Sequence, residues 1–195
     1  MNTVDWREKG KKEGHCLRRL FHLSSIFIPF FYYQYSSFYS NYVLLPAPSN
    51  ILLILLILIF LLESLRLRYG WVVIGQRSYE KTQISGFTWG FSFSFLTLLI
   101  AKSPAIAFAI IGSYAIVDPL IGEMRRLSCS FLSQYFSGWM VVTVIWLIAT
   151  VIGHLSIWCA IIIPPFTIAA EKAWLAWLDD NALTQLVPLI ISQFL

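Results

Sequence analysis

Charge is what this sequence has least of. Only 12% of its 195 residues are Asp, Glu, Lys or Arg, about half the roughly 25% that soluble domains carry, and a soluble catalytic domain is thereby excluded. Cysteine is scarce as well. Cys16, Cys129 and Cys159 are an odd set with no CxxC pair and no metal-like spacing, so isolated thiols are expected, not a disulfide framework or a metal cluster. There is no GxxxxGK[ST] phosphate loop, no HExxH, no GxSxG and no nucleotide-binding glycine run. Internal repeats are absent too, and the aliphatic run 51–62 is the sole low-complexity tract.

What is present is hydrocarbon. Hydrophobic residues make up 58% of the chain and aromatics 16%, with mean hydropathy +0.72. At about 20 apolar residues per crossing, that is enough for about five to seven membrane spans and little else. The expected fold is all-α, a polytopic transmembrane helix bundle of six to seven spans with a cytoplasmic N-terminus. Residues 1–19 read as a basic cytoplasmic tail and 20–195 as one transmembrane domain. Crossings are predicted at 21–39, 43–62, 84–101, 104–121, 139–153, 154–170 and 183–195. The first lacks a small-residue cleavage site and is read as retained. The last is short for a full crossing, and 139–163 is either two segments turning at Gly153-His154 or one kinked helix.

With the N-terminus inside, 13 of the 14 lysines and arginines fall in the tail and in the loops 63–83, 123–138 and 171–182, leaving only Lys102 outside. That satisfies the positive-inside rule, so the net charge of +4 is read as a topology signal and no nucleic-acid partner is expected. The same topology puts all ten acidic residues on or near the cytoplasmic side. Ionisable groups at membrane depth are costly and default to functional candidates.

Four polar clusters follow. In the first, Arg18, Arg19 and His22 lie three and four residues apart on one helix face, suited to a phosphate or to an anionic lipid surface. In the second, Glu63 and Arg66 form either an ion pair at a helix end or part of a site. The third is the stretch from Gly112 to Glu123. Pro119 after Asp118 is expected to interrupt regular helix there, and Gly122 to admit a close backbone approach. Asp118 and Glu123 are candidates for Mg²⁺, which takes one or two carboxylates plus substrate phosphates. Alternatively, a neighbouring helix satisfies Asp118. In the fourth, Glu171 precedes Asp179, Asp180 and Asn181, an oxygen-rich group read as cation-seeking or as a helix N-cap at Asp180 or Asn181. Trp174 and Trp177 between them read as interfacial aromatics.

The aspartates do not follow the DGxxAR spacing of membrane CDP-alcohol phosphotransferases. In their order, the four clusters resemble instead the CTP-dependent lipid-alcohol kinases of membranes: dolichol kinase, phytol and farnesol kinase, and the CTP-using diacylglycerol kinase. Arg18-Arg19-Leu20-Phe21-His22 is similar to that family's Arg-Lys-x-x-His element, and Glu63-Ser64-Leu65-Arg66 to its Glu-x-x-Arg element. Gly86 matches the glycine that opens the next span. Asp118-Pro119-Leu120-Ile121-Gly122 resembles the Asp-Pro/Ala-x-x-x-x-Gly element. Glu171, Asp179, Asp180, Asn181 and Pro188 resemble the closing element, with a longer spacing from Asn181 to Pro188 than the family's. The stretch after Asp118 also differs, having no Lys-Ser-x-Glu-Gly sequence.

The resemblance implies γ-phosphoryl transfer from CTP to a long-chain isoprenoid or related lipid alcohol, with Mg²⁺ as cofactor. It implies Asp118, Glu63 and Glu171 as catalytic residues. Arg18, Arg19, His22, Arg66, Gly122 and Arg125 are implied as phosphate-binding, and Asp118, Glu123, Asp179, Asp180 and Asn181 as metal-binding. The competing class is a non-enzymatic membrane assembly or transport factor whose polar face docks a partner.

Overall fold

Each apolar stretch becomes a helix, and no strand occurs among the described residues. The computed structural model describes residues 13–39, 46–73, 75, 76, 78–173, 175 and 178–195. The tail 1–12, Arg77, Trp174 and Trp177 lie outside the described residues.

The helices are α1 (Glu13–Ser24), α2 (Phe27–Tyr39), α3 (Pro48–Tyr69), α4 (Gly86–Ile100), α5 (Pro104–Arg126), α6 (Phe131–Gly153), α7 (Ile157–Lys172) and α8 (Asp180–Ser192), with a 3₁₀ turn at Ser78–Lys81. Among the described residues α3, α5 and α6 are long and apolar enough to cross a membrane, and α4 is a shorter apolar helix. The chain is an all-helical membrane protein. Helix starts are set by local chemistry: Ser85, Ser103, Ser130 and Ser156 each cap a helix with the side-chain oxygen, and Pro48 and Pro104 occupy first-turn positions where their missing N–H costs nothing.

The first predicted crossing is not one continuous helix. Pro29 cannot donate to the Ser25 carbonyl, which instead accepts from Ile28 N–H at 3.0 Å. The Ser24 and Ser25 hydroxyls both bond the Phe21 carbonyl, at 2.8 and 3.1 Å. These local bonds replace helical ones and separate α1 from α2.

Pro119 has the opposite outcome. Interruption was expected after Asp118, yet α5 continues through Pro119 to Arg126. A proline removes one backbone donor, and here the fully buried Val117 and Ile121 on either side lock the helix into the core. The connection expected over 123–138 shrinks to 127–130, closed by Ser128 in the left-handed region (φ 58°) and by Cys129 N–H on the Met124 carbonyl at 3.0 Å.

At Gly153-His154 the chain does turn, with His154 left-handed at φ 50°. A Cβ on Gly153 would stand 2.2 Å from that of Ala105, so glycine is what lets the end of α6 meet the start of α5. Gly153→Ala is expected to lower stability by about 1–3 kcal/mol through overpacking, read as a lower thermal midpoint in detergent. Gly112→Ala is the control, since its Cβ meets only Ile145 at an ordinary 3.9 Å. Equal midpoints for the two variants would refute this account.

Contacts between helices decide which ends meet. His22 on α1 meets Asp118 on α5, and Tyr33 on α2 stacks on Phe108 with centroids 5.9 Å apart, so α1 and α2 together run antiparallel to α5. Glu63 near the end of α3 accepts from Ser85 N–H just ahead of α4. Asn181 at the start of α8 reaches the Gly86 carbonyl at the start of α4 (3.3 Å), and Lys102 after α4 donates to the Gln193 carbonyl after α8. Thus α8 lies alongside α4 in the same direction, and its 13 residues, about 20 Å at 1.5 Å each, match that helix's short span. Every successive segment reverses direction, counting α1 and α2 as one. The core sits between α5, α6 and α7 around Val117, Ile121, Trp146, Ile163 and Ile168. Helix α3, apolar all round and little buried, forms the periphery.

Candidate functional site at the polar end of the bundle

The alternation gathers the four clusters at one end, but it sorts them into two kinds. The first kind is self-satisfied. Arg66 holds Glu63 with two hydrogen bonds of 2.9 Å, from Nε and Nη2. Its guanidinium also donates to the carbonyls of Gln83 at 2.7 Å and Trp71 at 3.3 Å. Glu63 accepts in addition from Ser85 N–H. Both residues are buried. With every strong hydrogen-bonding direction taken, this pair staples the end of α3 to the 71–85 connection and the start of α4. Of the two readings open in the sequence, the structure shows the ion pair: both Glu63 carboxylate oxygens accept hydrogen bonds, and all five Arg66 donors are engaged, Nη1 also reaching Gln76 Oε1 at 3.4 Å.

Glu123 is likewise taken up. Arg126 Nε donates to its Oε1 at 2.8 Å, and Arg19 reaches its Oε2 from α1. Glu123 therefore does not join Asp118 as a shared cation site. Among the described residues nothing lies within 4 Å of where a Gly122 Cβ would be, so none of them makes the close approach expected there.

The second kind surrounds the junction of α1, α5, α7 and α8. His22 Nε2 stands 3.1 Å from Asp118 Oδ2, with both side chains largely buried. Tyr114, one turn before Asp118, packs its ring on His22 with centroids 4.9 Å apart. The charges felt at the Tyr114 hydroxyl are, in falling order, those of Asp118, Arg18, Asp179 and Asp180. Those felt at the Glu171 carboxylate are Lys172, Arg125, Asp118 and Asp180. Residues from four helices thus share one electrostatic neighbourhood. Arg125 Nη2 lies 3.4 Å from Glu171 Oε1. Further out on α1, beyond the apolar stretch, burial and then the charges of Arg19, Arg18 and Arg126 hold the His15 imidazole below its ordinary range, a sign of a cationic mouth.

The N-cap of α8 is Asp179, not Asp180 or Asn181: its Oδ1 accepts from Asn181 N–H at 3.0 Å. The turn closes over the start of α4. A Cβ on Gly86 would lie 2.6 Å from Asn181 Nδ2 and 3.4 Å from Asp179 Oδ1, which is why that position is glycine. Asp179 thus places negative charge beside two helix N-termini, where it is favoured.

Three atoms here are buried with no hydrogen-bond partner among the described residues: Arg18 Nη2, Glu171 Oε2 and Asn181 Oδ1. Buried polar atoms are almost always paired, and one without a hydrogen bond calls for an explanation, an ordered water, an ion or a role in a site among them. One donor with formal positive charge and two oxygen acceptors suit a phosphate and the group it reacts with. Among the described residues, no three His, Cys, Asp or Glu side chains converge as a metal cluster. The oxygen donors present fit a hard cation such as Mg²⁺ that arrives with phosphate ligands of its own, and not one caged by protein.

Sequence reasoning singled out the charged members but missed Ser85, Gly90, Tyr114 and Gln185. Tyr114 was legible, since it lies four residues before Asp118 and hence on the same helix face; Gly90 and Gln185 gave no signal. No family model, curated protein or solved structure matches the chain.

Proposed function

We propose that the protein is a multi-pass membrane kinase of six or seven spans, its N-terminus and polar end cytoplasmic, that transfers the γ-phosphoryl group of CTP to a long-chain isoprenoid or related lipid alcohol. The observation that carries this reading is the set of three buried atoms that make no hydrogen bond among the described residues, Arg18 Nη2, Glu171 Oε2 and Asn181 Oδ1, at the end of an otherwise apolar bundle. An amphiphile suits that position, with its hydroxyl at the polar end and its tail in the hydrocarbon along the helices.

Phosphoryl transfer asks a protein mainly for positioning and charge stabilisation. Arg18 clamps the phosphates, with Arg19 and Arg125 at the rim. His22, held on Asp118, faces the same neighbourhood. Glu171 is the acceptor of the alcohol proton, because one of its carboxylate oxygens accepts no hydrogen bond among the described residues, Lys172 Nζ standing 3.9 Å away, whereas both oxygens of Glu63 accept one. The alcohol oxygen forms the new bond to the γ-phosphorus, the bond to the β-phosphate bridging oxygen breaks, and CDP leaves with that electron pair. Asp180 and Asn181 would hold a nucleotide-bound Mg²⁺, which would supply charge neutralisation.

The test is direct. Purified protein in detergent receives CTP labelled at the γ-position, Mg²⁺, and phytol, geranylgeraniol, dolichol or diacylglycerol in turn, with ATP in parallel. A labelled lipid phosphate from CTP is expected. Label transfer from ATP alone would overturn the donor assignment, and none from either nucleotide to any alcohol would overturn the kinase reading in favour of a docking or transport factor.

A further inference from the structure

We infer that Tyr114 is a positioning residue of this site, and that the missing side chain at Gly90 is what gives it that role. Tyr114 is 2% exposed. A Cβ on residue 90 would lie 2.1 Å from its hydroxyl oxygen and 2.9 Å from Cζ, so the phenol occupies a notch in α4 that any other residue closes. The notch is rigid. The Gly90 carbonyl accepts from Gln185 Nε2 and from Ser94 Oγ, both at 2.9 Å, and Gln185 Nε2 also bonds the Asn181 carbonyl at 3.1 Å. Gln185 is itself fully buried, so α4 cannot back away from the ring without breaking a satisfied polar clasp inside an apolar bundle.

The depth of the phenol is therefore set by α4 and α8, and its ring is the wall against which His22 rests, tilted 59° with centroids 4.9 Å apart. The 3.1 Å contact to Asp118 holds the imidazole at one nitrogen, and the phenol ring packs on its face, so contact and wall act together on the ring plane. A chain of contacts thus runs from the Asn181 turn of α8 through Gly90 and Tyr114 to His22 on α1. The role rests on the kinase reading for its activity readout only, since the His22 geometry is measurable in its own right.

The test uses full-length protein with ¹⁵N-labelled histidine in detergent, at one fixed pH. The chain has three histidines, His15, His22 and His154, and His22→Gln assigns the site signal. The wild type is expected to show a downfield, slowly exchanging His22 N–H proton that Asp118→Asn removes. Tyr114→Leu and Gly90→Ala are expected to remove it too, with the His15 and His154 signals unmoved, while Tyr114→Phe keeps it. Lipid-phosphate formation is expected to fall roughly 10- to 100-fold in kcat in those two variants, with KM for CTP within about twofold, as for misplacement of a reacting group.

An unchanged His22 signal in Tyr114→Leu and Gly90→Ala overturns the inference whatever the activity. If Gly90→Ala disturbs all three histidines, Tyr114→Leu, which leaves α4 and its clasp to Gln185 unaltered, decides the matter by itself: loss of the His22 signal alone supports the inference, and an unchanged signal overturns it. A protein that makes no lipid phosphate but follows the expected signal pattern overturns the kinase reading and leaves Tyr114 in its role.

Discussion

Arg66→Met is expected to destabilise the protein by about 3–5 kcal/mol, the usual cost of leaving one member of a buried ion pair without the other. Glu63 would keep only its bond from Ser85 N–H, while the carbonyls of Trp71 and Gln83 would lose their donor. Both side chains are at most 7% exposed, so water does not compensate readily. The double variant Glu63→Leu, Arg66→Met is expected to be more stable than Arg66→Met alone, because it removes the orphaned charge along with the pair. Thermal midpoints in one detergent decide the matter. A loss below about 1 kcal/mol in the single variant, typical of an exposed pair, would mean that the staple is solvated and that Glu63 is available for chemistry after all.

Glu171→Gln should have little effect on stability and a large one on turnover. Glutamine keeps the shape, the Arg125 side chain it partly releases is 57% exposed and readily hydrated, and Lys172, 3.9 Å from the other carboxylate oxygen, keeps its hydrogen bond to Gln134 Oε1. Loss of a proton acceptor costs typically about 10²- to 10⁴-fold, and the drop is expected in kcat with KM for CTP nearly unchanged. A rise in KM with kcat preserved would assign Glu171 to nucleotide binding instead. Glu63→Gln gives the contrasting pattern, lost stability first and activity lost only in proportion to folded protein.

These two glutamates show where sequence reading stopped. Each sits near a helix end with an arginine or lysine close by in the chain or the fold, and the family resemblance implies a catalytic role for both. Local spacing exposes the i, i+3 partner of Glu63 but not Ser85, 22 residues on, whose N–H adds a third hydrogen bond to the carboxylate. For Glu171 the relevant arginine lies 46 residues earlier. Satisfaction of a polar group is a three-dimensional count, and the two candidates separate only once it is made. Pro119 and Pro29 teach the same lesson for backbone: both remove one donor, but one sits between fully buried core residues and the other just after serines whose hydroxyls bond the Phe21 carbonyl, with the vacated Ser25 carbonyl taken by Ile28 N–H. The helix survives in the first case and breaks in the second.

The sequence by itself determined the class of fold, because a chain with so little charge must bury its helices in hydrocarbon, and it determined most helix positions, because apolar runs there are punctuated by serine, proline and glycine. It also separated the polar clusters from the spans, since charge cannot be scattered through lipid. Only the tertiary structure decided which polar groups are spent on one another and which remain without partners. That depends on neighbours tens of residues away, and on glycines such as Gly86 and Gly90 whose importance lies in the side chains of other helices that fill their place.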